Sequence, residues 1–169
     1  MSDDSDERVK RAVERYAKKV EQDIQREQLN GMASEQRKRQ QVDFQAAFLH
    51  KAQTIIEPVL ERHAVKINGL SDGKWSDNPE ARRRAVSVSC LVHRPTDDDY
   101  EIEMEVSQDT KRAALVFLSD SQKMKVVVSA RGSVVGHPTH IEELDLEQTT
   151  DYNVGRLAAD FVEKYLPAF

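Results

Sequence analysis

The order of apolar and polar positions divides the chain into a helical first part and a second part of alternating strands. From about Asp6 to Leu29 the apolar residues are Val9, Val13, Tyr16, Val20 and Ile24, spaced by 4, 3, 4 and 4. That is the period of a helix with one narrow apolar face. Carboxylates at Asp3, Asp4, Asp6 and Glu7 favour the positive end of its dipole. Val9 to Val20 and Val13 to Ile24 are each eleven residues apart. Such a repeat runs at about 3.67 residues per turn and suits a straight or slightly right-handed helix pair, not a leucine zipper. Most residues around the stripe are charged or amide-bearing, so this helix needs a surface to lie against.

Asn30-Gly31 predicts a helix stop, because both residues tolerate the left-handed backbone that ends helices. Ser34 then caps a second helix running from Glu35 to about His63. Its first turns carry no apolar residue. From Val42 onward Phe44, Phe48, Ala52, Ile55, Ile56, Val59 and Leu60 make a broad face fit for a core. Pro58 lacks a backbone donor, which predicts a kink near Thr54–Glu57. Turn residues crowd Asn68-Gly69, Ser71-Asp72-Gly73 and Ser76-Asp77-Asn78-Pro79, so this stretch, with Trp75 in it as a packed lid, is expected to be a loop.

The period then switches to two. Ala85–Arg94, Tyr100–Ser107, Ala113–Ser119 and Lys123–Ala130 read as strands joined by short links, the pattern of an antiparallel meander. Val134 and Val135 suggest a short fifth strand within Arg131–His140. Thr149 or Thr150 caps a last helix whose stripe is Val154, Leu157, Ala158, Phe161, Val162, Tyr165 and Leu166. The expected fold class is α+β: two N-terminal helices, a sheet of four to five strands, and a C-terminal amphipathic helix packed on it. Residues 1–63 form a helical arm or hairpin in this reading, and residues 64–169 the sheet domain.

Composition narrows the function classes more than it selects one. The 169 residues are 38% hydrophobic and 33% charged, which excludes a helical membrane protein and leaves room for one modest core. The net charge of −5 is uneven: residues 1–41 carry +1, residues 42–84 carry +1 and residues 85–169 carry −7. That acidic part repels a phosphate backbone, so nucleic acid is not an expected partner despite Arg37-Lys38-Arg39 and Arg82-Arg83-Arg84. Cys90 is the only cysteine, so no internal disulfide forms and a buried structural thiol is expected. The acidic N-terminus lacks the order of a signal peptide, and the cytoplasm is the expected location.

No residue set matches a known catalytic motif. His137 and His140 have HxxH spacing with Glu142, Glu143 and Asp145 after them, but in a loop, and no metal or other cofactor is expected. Glu101, Glu103 and Glu105 lie in one row on a strand, about 6.8 Å apart by strand geometry, as on a solvated sheet face. Arg131-Gly132-Ser133-Val134-Val135-Gly136 fits neither glycine-rich phosphate motif. The favoured function is a non-enzymatic protein-interaction module that self-associates through Val9, Val13, Tyr16, Val20 and Ile24, as a coiled-coil homodimer or with a protein partner. The alternative is a small-molecule or enzymatic site at the loops holding Trp75, His93, Arg131, His137 and His140.

Overall fold

The computed structural model describes residues 3–75, 85–96 and 99–169, with side chains described at 7–69, 85–96 and 99–169. The chain divides into two compact units, Met1–Gln40 and Gln41–Phe169. The expected α+β class holds, with a long helix at the N-terminus, a five-stranded antiparallel sheet and a C-terminal helix packed on it.

The first helix, α1, spans Asp3–Lys51 without a break. The stop expected at Asn30-Gly31 does not form. A glycine inside a helix costs about 1 kcal/mol relative to alanine, and the flanking Gln, Glu, Arg, Lys and Ala residues favour helix strongly enough to carry it. The irregularity expected near Pro58 does form, as one wide π turn at Ala52–Ile56. There the Glu57 N–H donates to the Ala52 carbonyl, five residues back. The Thr54 hydroxyl donates to the His50 carbonyl at 2.7 Å.

The spacing of the core residues explains that wide turn. Phe44, Phe48, Ala52, Ile56 and Leu60 recur every four residues, and all are buried. Four residues overshoot one α turn by about 40°, so four such steps drift the stripe by about 160°. One extra residue returns about 100° of this and keeps Phe48, Ile56 and Leu60 on one core. Helix α2 then runs Glu57–Trp75. Asn68-Gly69 and Ser71-Asp72-Gly73 are therefore helical rather than the expected loop. Trp75 closes the helix instead of lying in a loop; Ser76–Pro79 and Arg82–Arg84 fall outside the described residues.

Asn68 shows what overrides its turn preference. Its side-chain amide donates to the Val88 carbonyl and accepts from the Val88 N–H, both at 3.0 Å. Val88 lies on the edge strand β1, so one side chain satisfies two backbone groups that an edge leaves open. The strands are β1 Ser87–His93, β2 Glu101–Gln108, β3 Lys111–Asp120, β4 Lys125–Arg131 and β5 Thr139–Leu144, paired antiparallel in chain order. The fifth strand thus begins after Val134 and Val135. Those two residues turn instead: the Val134 N–H donates to the Arg112 carbonyl and the Val135 N–H to the Gly132 carbonyl. Gly132 has φ +122, and a Cβ there would lie 2.4 Å from the Arg112 carbonyl oxygen, so only glycine fits.

Ile102, Met104, Val106, Ala113, Leu115, Phe117, Val126 and Val128 face inward from the sheet, with Phe48, Ile56, Val59 and Leu60 in the same core. The last helix, α3, spans Asp151–Tyr165 and buries Val154, Leu157, Ala158, Phe161 and Tyr165. The Thr150 hydroxyl caps it by accepting from the Asn153 N–H at 3.3 Å. No helix among the described residues is long and apolar enough to cross a membrane.

Candidate functional site

Two surfaces concentrate chemistry that the core does not use, one in each unit. In the first unit every side chain from Glu7 to Gln40 is exposed. That includes the whole stripe: Val9 is 62% exposed, Tyr16 70% and Ile24 49%, with Val13 and Val20 between them. Leu29 and Met32 are exposed as well and line a shallow hollow with Ala33, Gln36 and Arg39. Arg37-Lys38-Arg39 sits on this same helix, on exposed turns.

In the second unit the outer face of the sheet carries a polar cluster. Its residues come from β1, β2 and β4. His93 Nε2 lies 3.0 Å from Glu103 Oε1. Arg131 Nη2 lies 2.5 Å from both Glu103 Oε2 and Glu101 Oε1. In the ladder Arg131 stands opposite Ala114, and Ala114 opposite Glu105. The guanidinium therefore arches diagonally over β3, where the small Ala114 leaves it room. Glu101 and Glu103 are only 8% and 4% exposed, which corrects the expectation of a solvated carboxylate row. Both carboxylates are covered because Arg131 and His93 close over them. Glu105, farther along, stays half-buried.

Burial works against the Arg131 cation, yet the hydrogen bond and charge of Glu103, joined by Glu101, raise its pKa above the ordinary arginine value. Beside the cluster is a cavity of about 260 Å³ lined by Glu103, Glu105, Arg112, Arg131, Gly132 and Ser133 among others. Each buried carboxylate already accepts a charged partner, so the arrangement ties three strands together rather than presenting a free acid or base.

Of the five residues proposed from sequence as a ligand site, four have described side chains, and two of those come together. His93 and Arg131 meet, both on Glu103. His140 is exposed and lies 3.8 Å from Glu143. Glu143 in turn accepts from Lys123 at 2.8 Å; that hydrogen bond and charge pull the Glu143 carboxyl below its usual range. His137 is exposed in the loop before β5. Trp75 ends α2, and its side chain is outside the described residues. Among the described residues no group of three or more His, Cys, Asp or Glu side chains is placed to hold a metal ion.

Cys90 is half-buried on β1. Desolvation, then the charges of Glu61 and Glu57, push its thiol up to about 11. A thiol so perturbed is a poor nucleophile near neutrality. The buried carboxylates and the Asn68 bridge were the features that sequence reasoning missed. A lone arginine in the outward phase of β4, opposite a row of outward glutamates, was the available signal for the first.

No protein-family model matches the chain. Comparison with curated proteins and with solved structures likewise finds no similar protein.

Proposed function

We propose that this protein is a non-enzymatic assembly module that self-associates through its first 40 residues, forming a helical homodimer in the cytoplasm. One observation carries the reading: an uninterrupted helix exposes Val9, Val13, Tyr16, Val20 and Ile24 along one face. Helices of this polarity draw most of their stability in water from packing an apolar face, not from intrinsic propensity. The stripe is narrow, so its pairing is concentration-dependent rather than permanent. The near-neutral charge of residues 1–41 permits two copies to approach, and the lone, poorly reactive Cys90 suits a reducing compartment.

A ligand-binding reading has less support, since of its four described side chains only His93 and Arg131 meet, and both are engaged by Glu103. Light scattering after size exclusion tests the proposal. The full chain is expected to shift from monomer to dimer as concentration rises into the micromolar range, while the Val13→Asp/Val20→Asp variant stays monomeric with an unchanged sheet signal in circular dichroism. A full chain that remains monomeric throughout would refute it.

A further inference from the structure

We infer that the free edge of β1 docks an extended basic segment of a partner protein, which adds to the sheet as a further antiparallel strand and sets arginine or lysine side chains beside Glu57 and Glu61 of α2. The two edges of the sheet differ. At one, β5 is irregular opposite Val128 and Ser129 and carries His140, Glu142 and Glu143, features that guard an edge against further pairing. At the other, β1 keeps unbroken register with β2 from Ser87 to His93 and contains no Asp, Glu, Lys, Arg or Pro. Its Leu91 and Val92 are 41% and 54% exposed, so this edge is not covered over.

Residues two apart on a strand turn their backbone groups to the same edge. The Val88 N–H and carbonyl bond outward to Asn68, so those of Cys90 and Val92 point the same way. Among the described residues nothing bonds to them there. Asn68 thus closes the edge at Val88 and leaves it open at Cys90 and Val92. A row of alternating donors and acceptors is matched by another extended backbone, which sets the conformation of the occupant.

Its charge follows from α2. At about 100° per residue Glu57, Glu61 and Asn68 fall within about 40° of one another, so the helix face that reaches Val88 also carries both carboxylates. Glu61 lies about 10 Å and Glu57 about 16 Å back along the helix from Asn68. Cys90 and Val92 lie about 7 and about 14 Å along the strand from Val88. The Cys90 thiol senses both carboxylates, whose charges add to desolvation in raising it. Glu61 is exposed and Glu57 half-buried. Arg94 is drawn over the Tyr100 ring, 5.2 Å from its centroid, toward the start of β2. Directly opposed residues of an antiparallel pair share a face. Residues of the segment opposite Cys90 and Val92 therefore point toward α2, where arginine or lysine meets Glu61 and Glu57. The residues between them fall on the outer face beside Leu91.

Fluorescence anisotropy on the full chain tests this with a labelled peptide, Thr-Arg-Val-Arg-Val-Arg-Thr, as the probe. Methylating its arginine amide nitrogens removes the donors that face the edge and keeps the charge, whereas methylating the valine amides alters only the far side. The first peptide is expected to bind at least tenfold more weakly than the parent, and the second about equally. Glu57→Gln/Glu61→Gln is expected to weaken binding about tenfold, the size of two exposed ion pairs. At saturation the Cys90 and Val92 amides should exchange more slowly, while Val88, already held by Asn68, is unchanged. Equal affinity of the two methylated peptides would show attraction by charge alone and overturn the docking site. Absence of binding, or unaltered exchange at Cys90 and Val92, would overturn it too. Slowing of those two amides with protein concentration, without peptide, would assign the edge to a second copy and overturn it likewise.

Discussion

Replacing Arg131 by methionine removes a cation shared by two buried carboxylates while keeping most of the side-chain volume. Glu101 and Glu103 are 8% and 4% exposed, so neither can recover its lost interaction fully from water. Breaking a fully buried ion pair by removing one partner costs about 3–5 kcal/mol. The Arg131 side chain is itself 43% exposed, and solvent screens part of what it contributes. The expected loss is therefore at or below the low end of that range, about 2–3 kcal/mol. For a domain whose total stability is typically about 5–15 kcal/mol, that is a large fraction. Urea unfolding of the full chain, followed by far-ultraviolet circular dichroism, measures it.

A double variant separates this mechanism from simple loss of packing. Adding Glu103→Gln to Arg131→Met should recover part of the loss at pH 7, since one of the two uncompensated charges is then gone. A single variant with the natural unfolding midpoint, or a double variant no more stable than Arg131→Met, would refute the reasoning.

Asn68→Ala leaves the Val88 N–H and carbonyl without their side-chain partner at the sheet edge; an expected loss of about 1–3 kcal/mol and faster amide exchange at Val88 would show it. The Cys90 thiol, raised to about 11, should alkylate slowly at pH 8 in the native chain, accelerate through pH 10–11 as thiolate forms, and react quickly at pH 8 once unfolded. Equal rates for native and unfolded chains at pH 8 would contradict the burial assigned to it.

The strands were legible because their chemistry is local: alternation at Tyr100–Ser107 and Lys123–Ala130 places one set of side chains inward whatever the partner strand. The last helix was legible for the same reason, through its stripe and the Thr150 cap. Turn residues misled where distant contacts or helix-favouring neighbours outweighed them. Asn68 looks like a turn residue until Val88 is known to sit beside it. Asn30-Gly31 looks like a stop, yet the residues around it favour helix on both sides. The polar cluster was half legible. The outward phase of Glu101 and Glu103 could be read from the period of two, but not that Arg131 would cross β3 to cover them. The exposed stripe of α1 was legible as a pattern, and the structure adds that its side chains are exposed.

The central claim, that the first 40 residues are stabilised by pairing with a second copy, is tested most directly by hydrogen exchange at two protein concentrations. Amides of residues 7–40 should exchange rapidly at concentrations where the chain is monomeric and slow markedly where it is dimeric. Those of the sheet and α3 should hold the same protection throughout, because their core is internal to one chain. Protection of residues 7–40 that does not change with concentration, whether high or absent, would contradict the account.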